Sequence, residues 1–279
     1  MTSPSSIVFR TGNIITTGRT SLEKSNQELL NSLRQNFEDA ASRATSEQSS
    51  WIETKGDTLY APSTEEPDGL SEERMEYDIT VKLFYLPGVS VPKRKDHTRE
   101  ALQHVLRELR VPSIDLLIIS FPNISFDAED HSPDTEPTQE EVDEWVGTYQ
   151  TLETLQLEGQ IKRIGLSEFG VARLMKLLPK TNIKPSVDQI NVRDCCVVPK
   201  PLIRFAREQK IELLTHNDCT NILPSSALQS LLQENHLAFG GFKNVDPQWV
   251  VKYTAVIQDR GVVENKGYFA MAKVDIDRT

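Results

Sequence analysis

The chain has 279 residues, about the length of one barrel of eight strand–helix units. Its formal net charge of −10 argues against nucleic acid or an anionic membrane surface as a partner, because both are negatively charged themselves. No apolar run approaches the ~20 residues of a membrane helix, the first residues lack a signal-peptide pattern, and three cysteines are too few for a disulfide framework. We therefore expect a cytoplasmic protein.

The first quarter of the chain predicts one strand and one helix. Residues 7–9 are a short apolar run typical of a strand, and Ser25 with Glu28 has the form of a capping box at a helix start. Apolar residues at helical spacing continue that helix to about Ala44. Residues 45–74 are then rich in Ser, Thr, Glu, Pro and Gly, which predicts an irregular and mobile polar excursion.

From residue 78 onward, strand-like and helix-like segments alternate. The strand-like segments lie at residues 79–85, 114–120, 163–167, 187–191 and 211–215. A second capping box, Thr138 with Glu141, begins one of the helices between them. Alternation with short loops predicts a parallel sheet, and we favour a (β/α)8 barrel over an open doubly wound sheet. One α/β domain is expected to span residues 1–279.

Three segments resemble motifs of the aldo-keto reductases. They are GQIKRIGLSEF at residues 159–169, KPSVDQ at 184–189 and IDLLIISFP at 114–122. The resemblance covers roughly residues 79–257. It implies an eight-stranded barrel of the aldo-keto-reductase-like type, with active-site loops at the C-terminal ends of the strands.

A second group of motifs resembles a narrower family, the regulatory subunits of glutamate–cysteine ligase. These motifs lie at residues 11–14, 18–19, 195–199, 213–218, 260–262 and 266–268. The resemblance implies a subunit that forms a heterodimer with the catalytic subunit of that ligase. It further implies that the heterodimer has a higher apparent affinity for glutamate and weaker feedback inhibition by glutathione.

The residues of a reductase active site are poorly matched. An aldo-keto reductase uses a tyrosine as proton donor, assisted by a lysine, an aspartate and a histidine. The resemblance puts Lys82 in the lysine position and Ser120 in the histidine position, and the expected D-T-A-x-x-Y-G turn is missing upstream of Lys82. We therefore treat Lys82 and Ser120 as vestigial and predict no catalysis. The alternative is an NADPH-dependent reductase with an altered site.

Contacts to a nicotinamide cofactor are similarly reduced. Ser167 and Gln189 match family residues that hold the nicotinamide amide, but Glu168 replaces an asparagine and His216 replaces the stacking tyrosine. Lys266 is the one residue that fits the 2′-phosphate contact, and the sequence has no glycine-rich phosphate loop. We predict that the protein uses no cofactor. His216 with one nearby cysteine offers too few ligands for zinc, so no metal site is predicted.

Two groups of residues are candidates for partner contacts. Cys195 and Cys196 either form a redox-responsive link to a cysteine of the partner or are buried as small apolar side chains. Trp249, Tyr253 and Tyr268 are candidate aromatic anchors in the last part of the chain. The remaining histidines are isolated and are expected to be solvated or to cap helices: His97, His104, His131 and His236.

Overall fold

The computed structural model describes residues 4–16, 24–43, 51–62, 67–126, 136–191, 198–235 and 241–276. Cys195, Cys196, His131 and His236 lie outside the described residues, so the predictions for them stay predictions. The helices are α1 (Ser25–Arg43), α2 (Val91–Leu109), α3 (Gln139–Leu157), α4 (Val171–Leu177), α5 (Lys200–Gln209) and α6 (Ser225–Glu234). The strands are β1 (Ser6–Arg10), β2 (Glu53–Lys55), β3 (Thr58–Ala61), β4 (Tyr77–Tyr85), β5 (Ile114–Ser120), β6 (Ile161–Ser167), β7 (Val187–Asn191), β8 (Glu212–His216), β9 (Phe242–Ile257) and β10 (Val262–Ile276).

The ten described strands form one sheet in the order β2-β3-β1-β10-β9-β4-β5-β6-β7-β8. Neighbouring strands from β4 to β8 are parallel, and we call them the parallel region. β9 runs antiparallel to β4, β10 runs antiparallel to β9, and β1 runs antiparallel to β10. β1, β2, β3, β9 and β10 together form the region that we call the hairpin region.

The parallel region confirms the predicted α/β fold. Its five strands begin and end within about two residues of the predicted segments, and each is followed in the chain by a helix. The capping box at the start of α3 is also confirmed. The Thr138 side chain accepts a hydrogen bond from the Glu141 amide at 3.2 Å, and the Glu141 carboxylate accepts one from the Thr138 amide at 2.8 Å.

The hairpin region differs from the repeated strand–helix units of the predicted barrel. β9 and β10 are long consecutive strands joined by a tight turn, in which Gly261 has a φ of 61°. A parallel partner would require a crossover of a dozen or more residues, whereas a short turn allows only antiparallel pairing. The chain therefore completes its sheet with a hairpin after β8.

The segment predicted as a polar excursion contains β2 and β3. These strands form a hairpin around Gly56, and β3 pairs with β1 in parallel. Leu59 and Ala61 are buried against β1 and α1, so alternate residues of this polar segment contribute to the core. The mobility of residues 45–74 stays a prediction.

Both faces of the hairpin region are covered by apolar side chains. Along β9, Trp249 and Val251 belong to the large cluster that contains residues of α2 and α3, whereas Val250 belongs to a second cluster that contains residues of α1 and α6. Side chains that alternate between two buried faces leave β9 continuously buried from Pro247 to Val251. Within the described ranges, no helix combines the length and apolarity needed to cross a membrane.

The first predicted capping box is wrong, although α1 begins at Ser25 as expected. The Glu28 carboxylate accepts hydrogen bonds from the Lys266 ammonium at 2.7 Å and from the Tyr268 hydroxyl at 2.5 Å. The Ser25 hydroxyl accepts one from the Cys219 amide at 3.1 Å. These side chains therefore join α1 to β10 and to the loop after β8, which local sequence cannot reveal.

Candidate functional site

A buried ionic cluster lies on one side of the sheet, near the C-terminal ends of the parallel strands. Lys82 of β4 donates a hydrogen bond to Asp218 at 2.9 Å, and Lys252 of β9 donates one to the other carboxylate oxygen at 3.1 Å. Asp218 lies two residues beyond the end of β8, and three strands separate β8 from β4 in the sheet. The sheet must therefore curve strongly for these groups to meet.

The charge of Asp218 is maintained by the two lysines. Burial alone would raise the pKa of Asp218, but the positive charges of Lys82 and Lys252 outweigh it and hold that pKa well below its usual value. The side chains of Lys82 and Asp218 are 5% and 4% exposed, so water does not compensate either charge. Removal of either side chain would therefore leave the other charge buried without compensation, which is strongly destabilising.

His216 links the ionic cluster to a second buried carboxylate. Its Nε2 lies 2.5 Å from a carboxylate oxygen of Glu168, while its Nδ1 accepts a hydrogen bond from the Asp218 amide at 3.1 Å. An accepting Nδ1 places the ring hydrogen on Nε2, directed at Glu168. The Ser167 hydroxyl donates to the Gln189 carbonyl at 3.2 Å and lies 3.5 Å from Nε2.

Glu168 is held by the loops that follow β5 and β6. Its backbone has a φ of 67°, a left-handed conformation that is uncommon for a residue with a side chain. Its carboxylate accepts a hydrogen bond from the Phe126 amide at 2.6 Å, and its carbonyl accepts one from Arg173 at 3.0 Å. In the aldo-keto reductase motif that this segment resembles, an asparagine stands at this position. Glu168 places a carboxylate there instead, and that carboxylate is already hydrogen-bonded to the Phe126 amide.

A third buried carboxylate, Asp188 of β7, has fewer partners. One of its oxygens accepts a hydrogen bond from the Phe169 amide at 3.3 Å, and the other has no hydrogen-bond partner among the described residues. Burial raises the pKa of Asp188 well above its usual value. The neighbouring Gln189 side-chain oxygen is also buried without a partner in the described part of the chain.

The predicted cofactor-binding residues are only partly brought together. Ser167, Gln189 and His216 are neighbours across β6, β7 and β8, but Lys266 lies on β10 and pairs with Glu28 of α1. Ser120 ends β5, half-buried and in register with Phe84 of β4. In the described ranges, no group of three or more His, Cys, Asp or Glu side chains is arranged to hold a metal ion.

No tyrosine is hydrogen-bonded to Lys82 in the described structure, which includes all six tyrosines of the chain. Tyr60 packs against the ring of His104, and each of the other five hydroxyls lies within hydrogen-bonding distance of another group. These pairs are Tyr77 with Glu264, Tyr85 with Thr98, Tyr149 with the Ile183 carbonyl, Tyr253 with the Gly12 carbonyl and Tyr268 with Glu28. Lys82 is therefore an ion-pair partner of Asp218 and has no phenol beside it to polarise.

A cavity of about 530 Å³ opens at the opposite, N-terminal ends of the parallel strands. It is lined by Asp78, Asp115, Lys162, Arg163, Val256 and Gln258. Asp115 forms ion pairs of 2.7 Å with both Arg74 and Lys162, so the buried charge at this end is already compensated within the chain. This cavity is distant in the fold from the cluster around Lys82.

The predicted aromatic anchors are corrected by the structure. Trp249, Tyr253 and Tyr268 are fully buried inside this chain, because β9 and β10 are covered on both faces. A side chain without exposed surface has nothing to present to a partner, so these three residues stabilise the fold. The sequence did not distinguish them from anchors because aromatic residues are common both in cores and in interfaces.

Two histidines expected at the surface are also buried. His97 and His104 lie on the inner side of α2, and the His104 ring stacks on Phe269 with a centroid distance of 5.2 Å. Burial lowers the pKa of each to about 4, so both are neutral at physiological pH. They act as core residues on the side of the sheet that packs against α2.

Sequence reasoning did not assign roles to Asp218 and Lys252. Asp218 follows His216 by two residues, at the end of a predicted strand, and Lys252 lies in the middle of an apolar strand. A buried lysine needs a carboxylate nearby. The signals that could have identified the two residues were a charged residue at the end of a strand, as at Asp218, and one inside an apolar strand, as at Lys252. The carboxylate that pairs with Lys82 could not be identified from the sequence, because the pairing depends on how the sheet curves.

The aldo/keto reductase family model matches residues 57–235, which include all of the parallel region. The chain belongs to the aldo/keto reductase family. Two of its relatives carry the same description, that of a glutamate–cysteine ligase regulatory subunit. The human protein is 31% identical over 72% of this chain and 68% of its own length. A Schizosaccharomyces pombe protein, so described provisionally, is 30% identical over 77% of each chain.

Other relatives are described as enzymes. Aldose reductase B of Dictyostelium discoideum is 24% identical over 64% of this chain and 62% of its own length. Among solved structures, an aldo-keto reductase from a Medee basin deep-sea metagenome library is 26% identical, with a TM-score of 0.38. That alignment covers 52% of this chain and 45% of the other, a partial overlap of the two structures.

Proposed function

We propose that this protein is a regulatory subunit that binds the catalytic subunit of glutamate–cysteine ligase and performs no catalysis of its own. The relatives described as regulatory subunits of that ligase support the proposal most directly, because their similarity extends over more than two thirds of both chains. The motifs that resemble this family are distributed along the sequence from residue 11 to residue 268.

The arrangement around Lys82 supports the absence of catalysis. A reductase of this family needs a phenol beside the lysine to protonate the developing alkoxide, and general acid help of this kind is worth ~10²–10⁴-fold in rate. Here Lys82 donates to Asp218, and Glu168 and His216 bind each other in the region where the family holds the nicotinamide. We therefore infer that tight binding of NADPH is also absent.

The regulatory effect follows from linkage between binding and conformation. A subunit changes the kinetics of its partner only by binding one conformation of that partner more tightly than another. The expected effects are a lower glutamate KM and weaker inhibition by glutathione, with ATP-dependent ligation carried out entirely by the catalytic subunit. We expect the association to take place in the cytoplasm, because three cysteines are too few for a disulfide framework and a reducing compartment is the default for such a chain.

The test is to purify the chain with and without the catalytic subunit and to measure ligase kinetics. Co-purification in a stable complex, with a lower KM for glutamate than that of the catalytic subunit alone, would support the proposal. Absence of a complex at micromolar concentrations of both chains would refute it. Saturable NADPH oxidation by the isolated chain with a panel of aldehydes would instead support an altered reductase.

A further inference from the structure

The strand β8 is the last strand of the sheet in the described part of the chain. Within the described residues, β8 pairs only with β7, and the sheet order ends there. The Glu212 amide donates to the Ser186 carbonyl at 2.9 Å, which fixes the register of the parallel ladder. Since backbone groups alternate along such a ladder, Leu213 and Thr215 direct their amide and carbonyl groups away from β7. No described residue hydrogen-bonds to those groups.

This edge is accessible. Glu212 and Thr215 are exposed and the residues between them are half-buried, whereas β5 in the same region is almost entirely buried. The Glu212 side chain is 56% exposed and forms only a 3.3 Å ion pair with Arg163. An edge that is open and free of proline is a template for another strand.

The other edge of the sheet is different. β2 has three residues, Glu53, Thr54 and Lys55, and the first and last of them form an ion pair of 3.0 Å across one face. Short and charged edge strands discourage pairing with another chain. Among the strands that the structure describes, the edge at β2 is therefore protected and the edge at β8 is available.

The side chains of β8 favour a strand with one apolar face. Leu214 packs beside Leu116, Ile118 and Val187 in a small cluster. This cluster lies on the face of the parallel region that also carries Lys82, which we call the inner face. Leu214 is only half-buried, because no further described strand packs beside it. An added strand would place an apolar side chain next to Leu214 and extend the cluster.

The charge beside β8 favours an acidic partner. α5 and the residue after it carry four exposed basic side chains, Lys200, Arg204, Arg207 and Lys210, against one acidic side chain, Glu208. This basic surface lies on a chain whose net charge is −10, so it is a local feature. Arg204 and Arg207 are exposed, and neither forms an ion pair with a described residue.

A second copy of this chain is a poorer occupant of the same edge. Antiparallel pairing of two β8 strands about Leu214 would place both α5 helices side by side on one face of the continuous sheet. Their basic side chains would then repel each other. A segment with acidic side chains on one face and an apolar side chain on the other has no such cost.

We propose that the free edge of β8 and the basic outer face of α5 bind an extended acidic segment of the partner protein, which adds to the sheet as the next strand. This rests on the proposed function, in which the partner is the catalytic subunit of glutamate–cysteine ligase. Main-chain hydrogen bonds to Leu213 and Thr215 would give most of the affinity, and the α5 charges would give selectivity.

The first test removes one outward amide. Thr215→Pro deletes a donor that β7 does not use, so the chain's own ladder is kept. Affinity for the catalytic subunit, measured by sedimentation velocity, is expected to fall about tenfold. The matched control is Thr54→Pro on the exposed edge strand β2, for which affinity is expected to be unchanged.

The second test reverses one charge. Arg204→Glu on α5 is expected to weaken binding several-fold and to reduce its dependence on salt, since it removes a cation from the interface. Lys95→Glu on α2, an exposed lysine on another helix, is the control and is expected to bind like the wild type. Arg204 is exposed, so folding does not depend on it.

A third measurement needs no variant. Amide hydrogen exchange of Leu213 and Thr215 is expected to be fast in the free chain and strongly slowed in the complex. If the wild-type chain forms no complex, the proposed function fails. If the complex forms with wild-type affinity in Thr215→Pro and Arg204→Glu, and these amides stay unprotected, the β8 inference is wrong and the function stands. A self-associated dimer that Thr215→Pro abolishes would also overturn it.

Discussion

The parallel region and the hairpin region of the sheet differ in what covers them. Both faces of the hairpin region are closed by apolar clusters, one shared with α2 and the other with α1 and α6. Lys82 and His216 of the parallel region instead form a charged cluster with Asp218 and Glu168 of the adjoining loops, and among the described strands this region ends at the edge of β8. The difference indicates that the hairpin region stabilises the fold, whereas the parallel region holds the charged and accessible groups.

The two regions meet along the paired strands β4 and β9, where Asp218 joins Lys82 of the parallel region to Lys252 of the hairpin region. Asp218→Ala would leave Lys82 buried without a counter-charge. Loss of one partner from a buried pair costs about 3–5 kcal/mol, and we expect a decrease of that size in the free energy of unfolding. Denaturant unfolding monitored by circular dichroism measures it. Asp78→Ala, at an exposed aspartate on β4, is the control and should change stability by less than about 0.5 kcal/mol.

A double-mutant cycle separates the pair from the individual residues. Lys82→Met combined with Asp218→Ala should cost much less than the sum of the two single variants, because each single change removes the same interaction. Strict additivity would contradict the assignment of Asp218 as the partner of Lys82.

Matched glycine variants test how tightly each region is packed. A Cβ added at Gly267 of β10 would collide with the Gly12 carbonyl and the Tyr253 hydroxyl, whereas one at Gly165 of β6 would meet the Ile118 side chain at 2.8 Å. Backbone cannot move as readily as a side-chain methylene, so Gly267→Ala should destabilise by about 3 kcal/mol and Gly165→Ala by about 1 kcal/mol. Thermal unfolding of both variants measures the difference. Equal losses would contradict the tighter packing of the hairpin region.

The sequence predicted the parallel region well and the hairpin region poorly. β5 is a largely apolar run, β6 lies in a segment that resembles a family motif, and each precedes a helix with its own periodicity, so local signals and fold agree there. β9 contains Trp249, Val251 and Tyr253 on one face and Lys252 on the other, a pattern that fits an interface strand as well as a core strand. Only the helices on both sides decide between these readings, and they are contributed by distant parts of the chain.

The candidate site shows the same limit. Ser167, Gln189 and His216 are neighbours as the family motifs implied, because they follow directly from the order of parallel strands. The partners of Lys82 and Lys266 are Asp218 and Glu28, which lie 136 and 238 residues away in the chain. Pairings over such separations depend on sheet curvature, which has no signature in a single sequence.

The core between α2 and the hairpin region should be sensitive to acid. Burial lowers the pKa of His104 to about 4, while the unfolded value is about 6.5. The folded state therefore favours the neutral ring, and stability that is complete above pH ~6.5 is lost as the pH falls toward 4. His104 alone should decrease the free energy of unfolding by about 3 kcal/mol across this window. His104→Phe should keep the stacking on Phe269 and remove much of that decrease in a pH series of urea titrations.

The smallest expected effect concerns Asp188, the carboxylate of the parallel region that lacks a partner on one oxygen. Because burial raises its pKa well above the unfolded value of about 3.9, ionisation opposes folding as the pH rises above that value. Asp188→Asn keeps the acceptor for the Phe169 amide and removes the charge. It should stabilise by about 1 kcal/mol at pH 7 and by nothing below pH ~4. A gain that is independent of pH would mean that better packing, and not the removal of a buried charge, is responsible.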